Sequence, residues 1–411
     1  MPQSSSPRQA IIIGGSISGL YAALMLARHG WRVDVHERTP GALAGRGAGI
    51  VAQPELRTAL AAAGIGDVGE VGVHVATRVL LDHAGREIMR RPCPQTVTSW
   101  ERVHRLLRAR LPDASYHAGA DLKAIETSGP RAVATFSDGR RVEADLVIGA
   151  DGIRSTVRQQ LFADTKVEYA GYVAWRSLVD ERALSKATHA AIFWHFAFGL
   201  PPGEQFIGYP VTGPADETGS GNLRYNFVWY RPADETGELQ RLLTDATGRV
   251  HALSIPPPLI RPEARAQMRA DAARLLAPQF REVVDVSPQP FLQPIYDLES
   301  TELARGGVAI IGDAAFVARP HVAAGVIKAA DDVLALVAAL DVEPDVATAL
   351  QRYQSERLPI GRRIIAKARA MGANYRPSSM ARGAPRLSAD DLDYARSVVE
   401  DTALTTFLRE T

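Results

Sequence analysis

Three short glycine-bearing segments, far apart in the chain, constrain the fold more than any other feature of the sequence. The first is Gly14-Gly15-Ser16-Ile17-Ser18-Gly19, the second is Ala150-Asp151-Gly152, and the third is Gly312-Asp313. Each follows a short run of Ile, Val, Leu and Ala residues, which is typical of a strand buried on both faces. Such strand ends point to a nucleotide, because glycine lets the backbone approach a phosphate group closely.

The first segment predicts the start of a βαβ unit. It follows an apolar run and opens a helix-like stretch from Leu20 to His29, after which a second strand runs from Arg32 to His36. Glu37 lies 18 residues after Gly19, close to the roughly 20 expected for a carboxylate that binds a ribose hydroxyl. Ser16 stands where the fingerprint has its middle glycine, and its hydroxyl is small enough to face a phosphate at the helix N-terminus.

Taken together, the three segments resemble the class A flavoprotein monooxygenases, the para-hydroxybenzoate-hydroxylase-like family of single-component aromatic hydroxylases. The resemblance covers about residues 8 to 375. It implies FAD as the cofactor, NADH or NADPH as a transient co-substrate, and O2 as the oxidant. In this family the second segment touches the FAD pyrophosphate region and bears on nicotinamide binding, while the aspartate of the third binds the ribityl hydroxyls. The first segment and the stretch Arg319-Pro320-His321 with Gly325 are most similar to the dihydroxypyridine hydroxylases within the family.

By this resemblance, the residues expected to bind FAD belong to the three segments and to the loops around them. They are Gly14, Ser16, Ile17, Ser18, Gly19, Glu37, Arg38, Arg46, Gly47, Gln53, Arg102, Asp151, Gly312, Asp313, Gly325 and Val326. The chain departs from the family near residue 100, where relatives often carry an arginine and this sequence has Trp100; Arg102 or Arg105 is the expected substitute. The apolar helix after Gly325 is expected to present its N-terminal N–H groups to the flavin carbonyl.

The order of predicted elements gives an α/β fold: a Rossmann-like FAD-binding domain with an inserted, mostly antiparallel β-sheet substrate domain and C-terminal helices. The expected domains are a discontinuous FAD-binding domain at 8–75, 98–165 and 290–375, a substrate domain at 76–97 and 166–289, and a C-terminal helical tail at 376–411. The inserted part is rich in strand formers. The predicted elements there and beyond are strands at 172–178, 191–196, 205–209 and 223–229, and helices near 236–250, 261–284 and 345–373.

The composition is that of an intracellular enzyme of two domains. The chain has 411 residues, of which 46% are hydrophobic, enough to fill two cores. Its formal net charge is only +1, so no nucleic-acid partner and no membrane partner is expected. Cys93 is the only cysteine, so no internal disulfide can form, and no metal site is expected. Without an apolar signal core or a span of membrane length, the cytoplasm is the expected location, and a homodimer stays open.

Several polar residues are candidates for handling the substrate. His321 follows Pro320 in the stretch that, by resemblance, passes over the flavin ring. It either binds or deprotonates a substrate hydroxyl, or it shapes its loop by a hydrogen bond to the backbone. Arg319 is either an anchor for an anionic substrate or the flavin, or a surface residue. The other candidates alternate with apolar residues on predicted strands, and either face the ring or lie in the core or at its rim: His195, Tyr209, Tyr225 and Arg176.

These features predict an FAD-dependent, NAD(P)H-consuming monooxygenase that hydroxylates a small electron-rich aromatic or N-heteroaromatic ring, such as a hydroxypyridine. By resemblance, the oxygen would pass through a flavin C4a-hydroperoxide. Two alternatives stay open. One is a tailoring monooxygenase of the same fold that epoxidises or oxidatively decarboxylates a larger natural-product phenol, and the other is a flavin-binding protein without turnover. The intact Glu37, Asp151 and Asp313 favour turnover.

Overall fold

The structure, a computed structural model, describes residues 7–41, 43, 49–66, 69–128, 131–377 and 387–408. Its strands are β1 (Gln9–Ile13), β2 (Arg32–Glu37), β3 (Gly49–Ala52), β4 (Val73–Leu81), β5 (Glu87–Ser99), β6 (Tyr116–Ala118), β7 (Leu122–Ser128), β8 (Arg131–Phe136), β9 (Arg141–Ala144), β10 (Leu146–Gly149), β11 (Val167–Asp180), β12 (Phe196–Gly199), β13 (Gln205–Val211), β14 (Arg224–Pro232), β15 (Phe291–Glu299), β16 (Ala304–Arg305), β17 (Val308–Ile310) and β18 (Phe316–Val317). Its helices are α1 (Ile17–Arg28), α2 (Pro54–Ala62), α3 (Trp100–Arg108), α4 (Thr156–Leu161), α5 (Lys186–Thr188), α6 (Glu238–Leu243), α7 (Pro262–Leu275), α8 (Pro278–Asp285), α9 (Gly325–Val342), α10 (Val346–Met371) and α11 (Leu392–Asp401).

A six-stranded sheet brings the three glycine segments to one edge. Its strand order is β16-β17-β10-β1-β2-β6, and all neighbours are parallel except β16 and β17. Strands β17, β10 and β1 are adjacent, and each glycine segment begins just after the carboxyl end of one of them. Because the carboxyl ends of parallel strands share one edge of a sheet, three backbone turns surround a common crevice. The predicted Rossmann-like architecture is confirmed.

The strands of this sheet are continuous apolar runs because both of their faces are covered. Residues 10–13 and 146–148 are at most 4% exposed. Helix α1 packs against β1, β2 and α9, and β8 of a small antiparallel sheet, β7-β8-β9, contacts β10. Helix α1 is followed by Gly30, whose φ of +81° is the left-handed conformation that commonly ends a helix.

A nine-stranded sheet forms the second layer and confirms the predicted, mostly antiparallel insertion. Its order is β18-β15-β11-β14-β13-β12-β4-β5-β3, and only β12 and β4 pair in parallel. Strands β3, β15 and β18 come from outside the segments 76–97 and 166–289 that we expected to form the substrate domain. The sheet is therefore continuous with the FAD-binding part of the chain, and the exact domain boundaries stay a prediction.

The two faces of the nine-stranded sheet have different surroundings. Tyr209 pairs with Asn226 across two strands, so both side chains share one face, which we call the inner face. Tyr225 and Phe206 lie on the other face, because neighbours along a strand point to opposite sides. Helices close that other face, since Phe206 stacks on Phe280 of α8 at a ring distance of 4.5 Å. The inner face is the one that meets the cofactor-side loops.

The predicted strand at 191–196 is wrong. Residues His189–Phe193 form a π-helical turn, and β12 begins only at Phe196. His189 stacks on Phe193 at 4.4 Å, and the consecutive Ile192 and Phe193 are both fully buried. A helical turn can bury two consecutive side chains in one core, whereas a strand sends them to opposite faces.

The helices after the inserted strands differ from the prediction in length. The helix expected near 236–250 ends early, as α6, because Asp245 accepts a hydrogen bond from the N–H of Thr247 at 2.9 Å and such local bonds favour a turn. The helix expected at 261–284 is two helices, α7 and α8, since Pro278 starts a new one. The long C-terminal helix is confirmed as α10.

The tail is described from residue 387 to 408 and contains α11, followed by a short 3-10 turn at Thr406–Leu408. Helix α11 contacts β4 of the large sheet. Within the described ranges, no helix has both the length and the apolar character needed to cross a membrane.

Candidate active site

The three glycine segments touch one another where no side chain fits. Gly14 has a φ of +110°, and a Cβ there would collide with the carbonyl oxygen of Ala150. Gly312 has a φ of +59°, and its Cβ would collide with Ser18 Oγ. The first segment thus contacts both the second and the third, and only glycine allows these approaches.

Helix α1 presents its N-terminus to this meeting point. Ser16 is its N-cap and makes no side-chain capping hydrogen bond, and the first turn has no acidic residue. The first N–H groups of a helix lack intrahelical acceptors and carry a partial positive charge. This end of α1 can therefore hold a phosphate, with the Ser16 hydroxyl as an additional donor. Ile17 is buried and can contribute only its backbone, and Gly19 packs closely on Gly14.

Glu37 stands at the end of β2 and braces the first glycine turn. Its Oε2 accepts from the N–H of Gly15 at 2.8 Å, and its Oε1 accepts from the N–H of Thr39 at 2.9 Å. The carboxylate is only 6% exposed, but each of its oxygens has a second lone pair. Glu37 can therefore keep these bonds and still accept a ribose hydroxyl.

A cleft of about 300 Å³ follows the glycine segments. Its lining residues are Ile13, Gly14, Ser16, Ser18, His36, Glu37, Arg38, Leu43, Trp100, Ala120, Asp121, Leu122, Ala150, Asp151, Gly152, Thr156 and Asp313. The cleft joins a helix N-terminus, a glycine cradle that a Cβ would fill, and a carboxylate at the next strand end. This donor and acceptor set fits the pyrophosphate and ribose of FAD.

Asp151 has one oxygen committed to the protein and one free. Its Oδ2 accepts from the N–H of Thr156 at 2.7 Å and of Val157 at 3.3 Å at the start of α4. Its Oδ1 is buried and has no hydrogen-bond partner among the described residues. Burial raises the pKa of Asp151, and the bonds from Ser155 and the helix N-terminus oppose that shift. The free oxygen is available to a ligand in the cleft.

Asp313 projects into the open cleft from the third segment. Its side chain is accessible along the cleft but surrounded by protein, and the resulting desolvation raises its pKa, while the positive charge of Lys328 opposes this. Lys328 Nζ donates to the carbonyl oxygen of Gly312 at 2.6 Å. Hydroxyl groups that donate hydrogen bonds to Asp313 would favour its ionised form. The ribityl chain of FAD offers such hydroxyl groups.

Helix α9 begins at Gly325, and Val326 is its second residue. Ala323, just before it, has a φ of +48°, which an alanine rarely adopts. The first turn of α9 has no acidic side chain, so its N-terminal N–H groups suit a negatively charged carbonyl edge. Contact of this turn with the flavin stays a prediction.

The inner face carries a buried donor without an acceptor. Asn226 Oδ1 accepts from the backbone N–H of Gly49 at 2.8 Å, which fixes the amide beside β3. Its Nδ2 is buried and has no partner among the described residues. Tyr209, paired with Asn226 in the sheet, stacks on Phe196 at 4.7 Å. Asn226 therefore has a buried N–H pair that is unused by the described residues, on the same face as two aromatic rings.

Arg176 adds a positive charge to the same face. It pairs with Val228 across the sheet, one place diagonally from Asn226. Its Nη1 donates to Gln293 Oε1 at 2.7 Å, while its buried Nε has no acceptor within the described part of the chain. Burial raises the pKa of Tyr209 to about 12, and the Arg176 charge acts against that shift. The guanidinium is thus close enough to influence groups on the inner face.

His321 is held as a neutral ring at one end of the inner face. It is 2% exposed, and its Nε2 lies 2.8 Å from the hydroxyl of Tyr172. The rings of Tyr230 and Tyr375 lie 4.4 and 5.1 Å away. Burial, and secondarily the positive charge of Arg319, lower the pKa of His321 to about 3. The imidazole is therefore uncharged at neutral pH, and its neighbour Pro320 begins the short turn that carries it.

Arg319 is neither a substrate anchor nor a surface residue. It is 2% exposed, and its guanidinium donates to Asp297 through Nε at 3.0 Å and Nη2 at 2.7 Å. Asp297 is itself 3% exposed. This buried ion pair fixes the start of the turn that carries His321. The charge of the Arg319 guanidinium is balanced by Asp297 and not by a substrate.

Two predicted candidates lie away from the inner face. Tyr225 points to the helix-covered side, where its ring contacts Phe193 at 5.6 Å. His195 lies just before β12, and its Nδ1 is 2.6 Å from Thr77 Oγ1. Arg78 pairs with Phe196 on the inner face, so the preceding Thr77 of β4 points to the other side and His195 with it. Both residues therefore make their described contacts away from the inner face, among core or rim groups.

Arg102, the expected substitute for the arginine of the family, is hydrogen-bonded to two loops, and its contact with FAD stays a prediction. Its guanidinium donates to the backbone oxygens of Glu70 at 2.7 Å and Asp216 at 3.1 Å. Arg105 pairs with the Asp216 carboxylate at 2.6 Å. Both arginines hold a loop on the far side of α3, and Trp100 lines the cleft instead.

Gln53 is tied to the tail, and its predicted contact with FAD stays a prediction. Its Nε2 donates to the carbonyl oxygen of Ala403 in the tail at 2.8 Å, and it does not line the glycine cleft. Arg38 does line that cleft. The predicted Arg46 and Gly47 lie outside the described residues.

Sequence reasoning missed Asn226 and the hydrogen-bonded partner of His321, Tyr172. Both lie in runs of aromatic and aliphatic residues, where a polar group is easily taken for a core residue. The available signal was the pairing of β13 with β14, which puts Asn226 beside Tyr209. That register is not readable from local sequence.

Known proteins share this architecture. Residues 169–297, which include most of β11, all of β12 to β14 and most of β15, match the family model described as FAD binding domain-like. The chain is 32% identical over 377 residues to the 2,6-dihydroxypyridine 3-monooxygenase of Paenarthrobacter nicotinovorans, covering 90% of this chain and 94% of that one. It is 28% identical over 382 residues to the 3-amino-4-hydroxybenzoate 2-monooxygenase of Streptomyces cremeus, covering 89% and 86%. The solved structure of 2,6-dihydroxypyridine-3-hydroxylase from Arthrobacter nicotinovorans matches with a TM-score of 0.84 at 32% identity, covering 91% and 94%.

Proposed function

The chain belongs to the class A FAD-dependent aromatic monooxygenases, and we propose that its substrate is a small N-heteroaromatic ring with oxygen substituents, of the hydroxypyridine kind. It is an FAD-dependent oxidoreductase, and NADH or NADPH and O2 are its co-substrates. A non-catalytic flavin-binding protein is therefore excluded. Tailoring chemistry on a larger phenol is the weaker alternative, because the similar proteins named above act on single small rings.

The observation that carries this proposal is the pair of unused donors on the inner face. Asn226 Nδ2 and Arg176 Nε are buried and have no partner among the described residues, and the stacked rings of Tyr209 and Phe196 lie on the same face. A buried donor without an acceptor is costly, so a bound ligand should satisfy it. A ring with two oxygen substituents, at least one of them negatively charged in part, matches a neutral donor and a cationic donor.

Bound reduced FAD and O2 would supply the electrophilic oxygen atom, and the chain would position the ring and exclude water. The cleft residues around Ser16, Glu37 and Asp313 would hold the cofactor. Asn226 and Arg176 would orient the substrate. A hydrogen bond accepted from a ring hydroxyl makes the ring more electron-rich, and we propose the Tyr172–His321 pair as that acceptor. The lowered pKa of about 3 makes the imidazole too weak a base to keep the proton itself.

A substrate panel tests the proposal. Oxidation of NADH and NADPH should be measured against hydroxypyridines, hydroxybenzoates and larger polycyclic phenols, with product and hydrogen peroxide counted separately. Coupled turnover should occur with hydroxypyridines. Coupled turnover with only polycyclic phenols would refute the proposed substrate class.

Two substitutions on the inner face sharpen this test. Asn226→Ala and Arg176→Met should each lower kcat/KM by about 10- to 100-fold, the usual effect of losing a hydrogen bond to a polar or charged group. FAD content should stay normal, because neither residue lines the glycine cleft. Tyr225→Phe is the matched control on the opposite face, and it should leave kcat/KM unchanged. Equal effects of all three variants would remove Asn226 and Arg176 from the substrate site.

The proposed location is the cytoplasm, where NADH and NADPH are available to the enzyme. A homodimer remains the proposed assembly, to be tested by light scattering of the purified protein.

A further inference from the structure

We propose that residues 399–405, which we call the C-terminal clamp, hold the His321 loop in its working position, with Arg78 as the positioning residue that fixes the clamp. This role deepens the proposed monooxygenase function and rests on it, because the expected effect is on the share of NAD(P)H oxidation that ends in hydroxylated product. Arg78 itself is not a catalytic residue, since its contacts are all with the protein.

Arg78 is a buried cation that caps the end of α11. It lies on β4 and is 1% exposed. Its Nη1 donates to the backbone oxygens of Val399 at 2.6 Å and Glu400 at 3.3 Å, and its Nε and Nη2 donate to Gln95 Oε1 at 3.1 and 2.8 Å. The last carbonyl groups of a helix lack intrahelical donors and carry a partial negative charge. The guanidinium satisfies both needs, so it anchors α11 to the large sheet.

Ala403, two residues after the end of α11, connects separate parts of the chain through hydrogen bonds. Its φ of +59° is rare for a residue with a side chain, so the surrounding contacts must hold it there. Its N–H donates to the carbonyl oxygen of His321 at 2.7 Å. Its own carbonyl oxygen accepts from Gln53 Nε2 at 2.8 Å and Gln95 Nε2 at 3.4 Å. One residue therefore links the His321 loop to the start of α2 and to β5.

Contacts of the tail also reach the side-chain neighbours of His321. The hydroxyl of Tyr394 donates to that of Tyr375 at 3.3 Å, and Tyr375 donates to Gln205 Oε1 at 3.0 Å. Tyr375 is in ring contact with His321 at 5.1 Å. The tail thus supports both the backbone and the aromatic surroundings of His321.

The position of the clamp matters because it holds the His321 loop through Ala403 and also bounds a cavity. Leu404–Thr406 line a cavity of about 440 Å³ together with Gln53 and Gln95. A displaced clamp would release the His321 loop and admit water. In a flavin monooxygenase, exclusion of water limits the loss of the activated oxygen as hydrogen peroxide and so favours its transfer to the substrate.

Arg78→Met tests the proposal in the FAD-loaded full chain. The amides of residues 399–403 should exchange with deuterium about tenfold faster or more, the effect of losing roughly one or two hydrogen bonds. FAD content should stay normal, and product formed per NAD(P)H oxidised should fall by about threefold or more. Arg78→Lys should give intermediate values, because an ammonium group can replace part of the cap.

Arg91→Gln is the matched control. Arg91 pairs with Arg78 across β4 and β5, but it meets the tail only through an exposed ion pair with the Glu400 side chain at 3.3 Å. Its loss should change neither the exchange of 399–403 nor the coupling. A second variant, with the chain ended after Thr402, keeps the cap by Arg78 and removes all three Ala403 hydrogen bonds; it should also uncouple.

Fast exchange in Arg78→Met with wild-type coupling would overturn the proposal, as would wild-type coupling in the chain ended after Thr402. If Arg78→Met does not fold, the shortened chain decides the matter alone. Failure of the proposed function looks different, because the wild type would then turn over none of the panel. The exchange measurement, which can be repeated on the apoprotein, still reports whether Arg78 holds the clamp.

Discussion

Replacement of His321 by glutamine should remove a defined part of the pH dependence of stability. An unfolded histidine has a pKa of about 6.5, whereas burial lowers the pKa of His321 to about 3. Between these values the unfolded chain binds a proton that the folded chain does not, so the free energy of unfolding falls as the pH drops through this window. The sign is that of a depressed folded pKa: the contribution is fully present above pH 6.5 and is lost toward pH 3.

The magnitude follows from the same two values. One pH unit of differential protonation is worth about 1.36 kcal/mol, so at pH 5 the penalty from His321 should reach about 2 kcal/mol relative to pH 8. Because the side chain is 2% exposed, solvent screening should reduce this little. His321→Gln keeps a polar group within reach of Tyr172 but cannot take up a proton. The difference in unfolding free energy between wild type and variant should therefore shift by about 2 kcal/mol between pH 8 and pH 5.

Urea unfolding of the apoprotein from about pH 5 to pH 8 measures this shift. Other titrating groups are common to both proteins and cancel in the difference. Tyr172→Phe is the control, because it removes the hydrogen-bond partner while leaving the imidazole buried, and it should keep the wild-type slope. Parallel pH profiles for wild type and His321→Gln would refute the low pKa.

The same variant separates the two roles considered for His321. His321 Nε2 lies 2.8 Å from the Tyr172 hydroxyl and is packed against the rings of Tyr230 and Tyr375. A flexible amide would not hold that contact in the same position, so His321→Gln should bind FAD and oxidise NAD(P)H but give less product and more hydrogen peroxide. Wild-type coupling between about pH 6 and pH 9 would leave His321 as a structural residue of its loop.

Two further predictions concern the cofactor. Glu37→Gln should weaken FAD binding by about 1–3 kcal/mol, because an amide cannot accept from both Gly15 and Thr39 and also from a ribose hydroxyl; titration of the apoprotein with FAD measures this, and an unchanged Kd would remove Glu37 from the site. Asp313→Asn should yield largely FAD-free protein whose circular dichroism is unchanged and whose apo Tm is equal or higher, since burial raises the pKa of Asp313 and its ionised form is costly without a ligand; full flavin occupancy would show that ribityl binding does not need the carboxylate.

The fold around the glycine cleft was predictable because it depends on the local backbone conformation of short segments of the sequence. Gly14 and Gly312 are required where turns adopt left-handed φ values and pack without a Cβ, and strand, turn and helix follow one another along the chain. The spacing to Glu37 is also local, since β1, α1 and β2 are consecutive. These features survive any arrangement of the distant parts of the chain.

The inner face of the large sheet was only partly predictable, because an error of one residue in a strand's register moves every side chain to the opposite face of the sheet. Tyr209 and Tyr225 read alike in the sequence, yet the register of β13 with β14 puts only Tyr209 on the inner face. The wrong strand at 191–196 misplaced His195 in the same way. The contacts of the Arg102 guanidinium with Glu70 and Asp216 were not predictable either, because no local pattern in the sequence links these residues.

The C-terminal clamp had no local signal at all. Arg78 and Val399 are 321 positions apart, and a buried arginine in a strand-like run has no partner in its own neighbourhood of the sequence. Ala403 likewise has a common residue type in a rare conformation. Contacts of this kind appear only once the tail has been placed on the sheet.

A buried network of charged side chains surrounds Gly312 in the third glycine segment, next to the cleft. The N–H of Gly312 donates to Asp332 Oδ2 at 3.0 Å, and its carbonyl oxygen accepts from Lys328 Nζ at 2.6 Å. Arg357 completes the network through a bond from its Nε to Asp332 Oδ1 at 2.8 Å, and all three charged residues are at most 6% exposed. Buried ion networks contribute little net stability, so stability alone does not account for this one. The network holds both backbone groups of Gly312, and the next residue, Asp313, lines the cleft. We propose that this network orders the Asp313 carboxylate before the ligand arrives, so that binding of hydroxyl groups would not have to include the cost of ordering it.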